Sequence, residues 1–362
     1  MKLVVFGLSL SSSWGNGHAT TFRALLKAFA ARGHDILFLE RDVPWYAGNR
    51  DHADPAYCRL EYYQDLAGLE HWREEIEGAD AVIVGSYVPE GVAVGQWVQA
   101  HARGVSAFYD IDTPVTLAKL ERGDFEYLSP DTIPGYDVYL SFTGGPTLRH
   151  IEQRYGAPAA RALYCSVDPE AYPALDVPKK WDLTYLGTYS PDRQPTLETL
   201  LIAAARALPD CRFAVAGPQY LEGIDWPANV DRIEHLPPAD HPAFYCASRF
   251  TLNVTRADMI AAGWSPSVRL FEAAACAVPV ISDSWEGLDS LFAPGREIQL
   301  AASTDQVVDL LRHTNAADAA AMGRAAQARV LGGHTAADRA RELETALFEA
   351  AAAAQHPVAE LV

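Results

Sequence analysis

"SPSVRLFEAAACAVPVISD", residues Ser265 to Asp283, decides how this chain is read. Ser265 suits a helix N-cap and Pro266 the first helical position, where a missing N–H costs nothing. An Ala-rich run follows, and a short β-branched strand closes the segment. Arg269 and Glu272 stand three residues apart, so they share a helix face. As an exposed ion pair they would contribute at most about 0.5 kcal/mol. The rest of the helix is apolar, however, which predicts packing on both sides, and charge in such a place is costly unless something uses it. The helix start at Ser265 and Ser267, with Arg269, is therefore expected to take a ligand phosphate. Glu272 is expected to accept hydrogen bonds from a ribose diol.

Working outward, strands and helices alternate on both sides. "KLVVFGLS", "DILFLER", "DAVIVGS", "SAFYDI" and "DVYLSFT" read as buried strands. "ATTFRALLKAFAARG" repeats Phe22, Leu25, Leu26 and Phe29 at helical spacing and stops at Gly33. The pattern lapses in "SVDPEAYPALDVPKK", residues 166–180, which reads as a linker. It restarts with "DLTYLG", "RFAVAGP" and "FTLNVT" separated by helices. This predicts an α/β protein with two Rossmann-like doubly wound domains facing a central cleft, residues 1–165 and 181–334. A last helix over 335–362 opens with Thr335 and Asp338 in capping-box spacing. Ligands of such sheets sit at the carboxyl ends of strands.

The chain has 362 residues, 49% hydrophobic and 21% charged, with a net charge of −18. So acidic a chain is a poor partner for nucleic acid, which demands a basic face. Five scattered cysteines, with no C-x-x-C, read as buried thiols in a cytoplasmic protein. The opening apolar run leads into a loop and helix with no cleavage site, and no stretch reaches the ~20 apolar residues of a membrane span.

Three loops carry candidate chemistry. "SSSWGNGHATT" follows the first strand, and Gly15, Asn16 and Gly17 would form a phosphate or acceptor loop before a helix. One reading is a dinucleotide fingerprint, with Glu40 as the ribose acid 40 − 17 = 23 residues on, although Thr20 replaces the third glycine. The other makes His18 a general base oriented by Asp110 or Asp112 of "FYDIDTP", or leaves it a loop cap. "GTYSPDRQPT" offers Gly187, Thr188, Ser190 and Arg193 to a phosphate, or merely a polar loop. "LNVTRADM" ends a strand with Thr255 and Arg256.

These residues together resemble the GT-B glycosyltransferases, and most closely the CgeB-like group related to glycosyltransferase family 4. The likeness is densest from Thr251 to Ile298. It implies a C-terminal half that binds a nucleotide-diphosphate sugar, a UDP-sugar foremost, and an N-terminal half that binds a small-molecule or glycan acceptor. It also implies a final helix that returns to the first domain and a reaction that requires no metal or other cofactor. Glu272 matches the second Glu of the family 4 E-x7-E motif, while Trp264 stands where the first would be (272 − 8 = 264). His18 matches the base of inverting members, with the two aspartates 110 − 18 = 92 and 112 − 18 = 94 residues on. Arg193 and Arg256 would face the donor diphosphate. A sugar-nucleotide epimerase and a non-catalytic sugar-nucleotide-binding or coat-associated protein are the other classes this pattern allows.

Overall fold

The computed structural model describes residues 1–14 and 17–354. The chain separates into two compact units, Met1–Cys165 with the segment from Ala336 onward, and Ser166–Thr335.

The first unit is a parallel sheet of β1 (Lys2–Gly7), β2 (Asp35–Arg41), β3 (Arg59–Tyr63), β4 (Ala81–Gly85), β5 (Val105–Asp110), β6 (Val138–Ser141) and β7 (Ala160–Ala162). The strand order is β3-β2-β1-β4-β5-β6-β7. Between the strands run α1 (His18–Ala30), α2 (Pro44–Ala47), α3 (Arg73–Glu77), α4 (Gly91–His101), α5 (Thr113–Glu121) and α6 (Pro146–Tyr155). β4 and β5 are buried along their whole length and β1 at every residue after Lys2, as continuous apolar runs covered on both faces must be. Strand order reverses at β1, so the crevice of this unit opens at the carboxyl ends of β1 and β4.

The second unit repeats the plan with β8 (Trp181–Leu186), β9 (Phe213–Ala216), β10 (Val230–Ile233), β11 (Ser248–Asn253), β12 (Val280–Ser282) and β13 (Gln299–Leu300), in the order β10-β9-β8-β11-β12-β13. Its helices are α7 (Gln194–Leu197), a π-helical turn (Glu198–Ile202), α8 (Ala203–Ala207), α9 (His241–Cys246), α10 (Ala257–Ala262), α11 (Val268–Ala275), α12 (Leu288–Leu291), α13 (Thr304–His313) and α14 (Ala316–Leu331). Here the order reverses at β8, so the crevice lies at the carboxyl ends of β8 and β11.

One feature differs from the sequence reading. Residues 166–180 do not form a bare linker. Tyr172 reaches Glu272, and Lys179 Nζ donates to the carbonyls of Cys246 and Ser248, both at 2.8 Å. The segment is thus docked on the second unit, its lack of periodicity notwithstanding. The last helix, α15 (Ala336–Ala354), belongs to the first unit and buries Ala340, Leu343 and Leu347 among Phe22, Leu26 and Phe29 of α1.

Candidate functional site

In the second unit the loop after β8 is drawn tight. Gly187 is required there: a Cβ would lie 2.6 Å from the Tyr185 hydroxyl and 2.9 Å from Arg269 Nη2. Its carbonyl accepts from Tyr220 at 3.0 Å, and the carbonyl of Thr188 accepts from Arg193 Nη2 at 2.7 Å. Ser190 is turned to Asp192, away from any phosphate role of its own. Arg193 is the N-cap residue of α7, and burial with the nearby charges of Arg269 and Arg256 pulls its pKa down. Arg193 Nε and the Tyr185 hydroxyl are buried with no hydrogen-bond partner.

The helix quoted at the outset starts later than expected. Ser267, not Ser265, is the N-cap, and α11 begins at Val268. The Ser267 hydroxyl does not cap: it donates to Asn253 Oδ1 at 2.7 Å, which leaves the first N–H groups of α11 without a side-chain partner. Asn253 also accepts from Arg269 Nη1 at 2.9 Å and donates to Thr255 and Ser282, so it organises the strand ends. Asp283 accepts from Thr255 N and Oγ1 at 2.7 and 2.6 Å; burial nevertheless lifts its pKa above the usual range. Arg256 is the N-cap residue of α10, just past β11. Ser265 is buried ahead of the cap.

Arg269 and Glu272 make no ion pair. Arg269 Nε donates to the Leu186 carbonyl at 2.6 Å, and its guanidinium lies 4.8 Å from the Tyr185 ring centre. Glu272, 5% exposed, turns the other way and accepts from Tyr172 at 2.8 Å and Tyr245 at 3.1 Å. In this arrangement Glu272 serves the fold, since each carboxylate oxygen accepts from a buried tyrosine hydroxyl that needs a partner. Trp264 adopts a left-handed φ of 39°, held by its N–H on the Glu286 carbonyl at 2.6 Å, with its indole against Gly287.

In the first unit, Gly15 and Asn16 lie outside the described residues. Gly17 is the exposed N-cap residue of α1 and His18 its first residue. His18 Nδ1 is buried without a partner, and burial lowers the ring's pKa to about 4. Neither aspartate orients it. Asp110 is wholly buried and accepts from Tyr139 at 2.5 Å, Thr116 at 2.7 Å and the Asp112 amide at 3.2 Å, with burial raising its pKa to about 6. Asp112 accepts from the Tyr87 hydroxyl at 3.0 Å, and the Tyr87 ring stands edge-on to His18 at 5.0 Å. Tyr87, which the sequence did not single out, carries a left-handed φ of 63°, unusual for a bulky residue.

Glu40 settles the dinucleotide reading. It is fully buried and accepts from Leu10 N at 2.7 Å, Ser11 N at 2.9 Å, Ser11 Oγ at 2.7 Å and Ser9 Oγ at 3.2 Å. It pins the loop that a ribose acid would leave free, so the nicotinamide expectation is withdrawn.

Among the described residues no group of three or more His, Cys, Asp or Glu could hold a metal ion, and no helix is long and apolar enough to cross a membrane. A cavity of about 940 Å³ lies between α13, α14 and the turn before β13, and none of the candidate residues lines it.

Residues 193–345 match a family model described as glycosyl transferase-like. The chain has the GT-B fold, two parallel-sheet Rossmann-like units. It is similar to sucrose-phosphate synthase from Thermosynechococcus elongatus, with a TM-score of 0.69 and 14% identity over 97% of this chain and 99% of that one. It is also similar to Anabaena Alr3699/HepE in complex with UDP-glucose, with a TM-score of 0.70 and 12% identity over 96% and 100%. A candidate UDP-N-acetylglucosamine 2-epimerase from Listeria monocytogenes shares the fold at a TM-score of 0.60 and 14% identity over 100% and 99%. No curated protein sequence matches the chain.

Proposed function

We propose that this protein moves a sugar from a nucleotide-diphosphate sugar to a hydroxyl of an acceptor held by the first unit. The orphaned pair at the end of β8 carries the reading. Arg193 Nε and the Tyr185 hydroxyl are buried and unpartnered, and the guanidinium groups of Arg193 and Arg269 bond only to uncharged oxygens. What supports a ligand at this pair is its place at the carboxyl ends of the central strands, where ligands of such sheets bind, with a second arginine beside it. A diphosphate supplies the absent negative charge and the absent acceptors at once, and the uncapped start of α11 adds N–H groups beside it. The UDP-glucose bound by HepE favours a UDP-sugar as donor. The sequence from Thr251 to Ile298 favours the CgeB-like group near glycosyltransferase family 4, and the scattered cysteines favour a cytoplasmic setting.

With arginines and helix ends carrying the charge of the departing diphosphate, the transfer has no step that calls for a metal. On the acceptor side, His18 is the base of this reading. Its low pKa keeps the ring neutral at pH 7 with a lone pair to receive a proton. So weak a base takes that proton late, once the bond from the anomeric carbon to the diphosphate has broken and the new bond has acidified the acceptor oxygen. One displacement inverts the anomeric centre.

Incubation with UDP-glucose and UDP-N-acetylglucosamine, followed by NMR, tests the proposal. Release of UDP with a glycosidic product of opposite anomeric configuration is the result it expects. Isomerised sugar nucleotide without UDP release would make the protein an epimerase instead. UDP binding without turnover would make it a binding protein.

A further inference from the structure

Two of the largest apolar side chains of the first unit are left in solvent: Trp14 is 56% exposed and Trp45 is 65% exposed. Both sit past the carboxyl ends of adjacent strands, Trp14 after β1 and Trp45 in α2 after β2, on the side where His18 opens α1. Their segments are tied together. The Trp14 amide donates to Ser12 Oγ at 3.2 Å, Ser12 Oγ donates to the Asn49 carbonyl at 2.7 Å, and Asn49 Nδ2 donates to the Trp45 carbonyl at 2.7 Å. The amides of Asp51 and His52 donate to the Ser11 carbonyl at 3.0 and 2.9 Å, and Ser13 N donates to Asp51 Oδ1 at 3.1 Å. Arg23 locks the arrangement from α1, with Nε on the Leu10 carbonyl at 2.9 Å and Nη2 on Asp51 at 2.5 Å. The hydrogen bonds fix the backbone that carries both indoles, the Trp45 ring stands edge-on to Tyr46 at 5.9 Å, and large aromatic side chains held in water beside a strand-end crevice suit a binding surface.

The neighbourhood also says what would bind. The charges beside the indoles are neutralised: Asp51 by Arg23, and Asp42 by Arg50 at 2.7 Å. Burial pushes the Asp51 carboxyl up, but the hydrogen bonds from Arg23 and Ser13 outweigh it and hold it at about 2, so the pair stays ionised. The serine hydroxyls are spent as well: Ser11 on Glu40, Ser12 on Asn49 and Ser13 on Asp51. An occupant meets aromatic faces with little hydrogen bonding, which suits an apolar ring better than a hydroxyl-dense sugar or an anion.

We propose that Trp14 and Trp45 form the acceptor platform, selecting an uncharged acceptor whose hydroxyl is carried on, or next to, a flat apolar ring. The inference rests on the reading of the first unit as the acceptor half. Its test is a calorimetric titration of the full chain with 4-nitrophenyl β-D-glucoside, with methyl β-D-glucoside and, separately, with UDP. The aryl glucoside should bind and the methyl glucoside should bind at least tenfold more weakly. Trp14→Ala and Trp45→Ala should each weaken the aryl ligand by about fivefold to tenfold, with Trp→Phe restoring most of it. UDP affinity should stay within twofold in all variants. Both side chains are exposed, so the variants should fold; circular dichroism confirms it. No aryl binding, equal binding of the two glucosides, or aryl binding indifferent to both substitutions would overturn the platform. Tryptophan-dependent binding to phosphatidylcholine vesicles in place of the aryl glucoside would overturn it too, making the indoles a membrane contact. Failure of UDP to bind the parent chain would strike the donor assignment and leave the platform result standing.

Discussion

The hydroxyl of Tyr172 donates to Glu272 Oε1 at 2.8 Å across 100 residues of sequence. With Tyr245 on the other oxygen, this makes the acid of α11 the point where the docked segment before β8 meets α9 and α11. Removing one partner of a buried hydrogen bond strands the other, at about 1–3 kcal/mol per group. Glu272→Ala should therefore lower unfolding stability by roughly 2–4 kcal/mol. Urea unfolding measures it. UDP affinity, measured on folded protein, should change less than in an Arg193 variant. A stable Glu272→Ala protein that no longer binds UDP would return Glu272 to the ribose.

Chelation should leave sugar transfer largely intact. The proposed donor's diphosphate would have arginines and helix N–H groups for its charge, so activity with excess EDTA should match that without it. Strict dependence on added Mg²⁺ or Mn²⁺ would contradict this.

The ring of His18 offers a pH test. Burial lowers its folded pKa to about 4 from an ordinary value near 6.5. Between those values the unfolded chain binds more protons than the folded one, so the His18 contribution favours folding more as pH rises through this window and is lost as pH falls from 6.5 to 4. His18→Gln should flatten part of the stability change between pH 7 and 5. Turnover of the parent enzyme should keep its acid limb near pH 4–5, and His18→Gln should cut turnover by roughly 10²-fold or more with UDP binding unchanged. An acid limb at 6.5, or near-normal turnover of the variant, would remove His18 from proton transfer.

The alternation of elements was legible because the central strands are continuous apolar runs and the helices between them keep a 3.6-residue period. The edge strands β3 and β10 were not: "RLEYY" and "VDRI" are short and interleaved with polar residues, since an edge is only half covered. Arg193 and Arg269 could be found from sequence, because a basic residue at a strand-to-helix turn sits in the crevice by topology. Asn253 and Tyr172 could not, since their importance comes from partners 14, 16 and 100 positions away. Glu40 misled for a local reason: the end of β2 suits a ribose acid, yet the same place lets a carboxylate collect the amides and hydroxyls of Ser9–Ser11.

The central claim is that the end of β8 is a diphosphate site, and calorimetric titration with UDP tests it most directly. The parent chain should bind UDP. Arg193→Gln, which loses only a bond to the Thr188 carbonyl within the protein, should keep its fold and weaken UDP by about 10–100-fold, the worth of a charge-assisted hydrogen bond. Uridine, lacking phosphate, should bind both proteins alike. A folded Arg193→Gln protein with unchanged UDP affinity, or a parent chain that binds UDP no better than uridine, would contradict the claim.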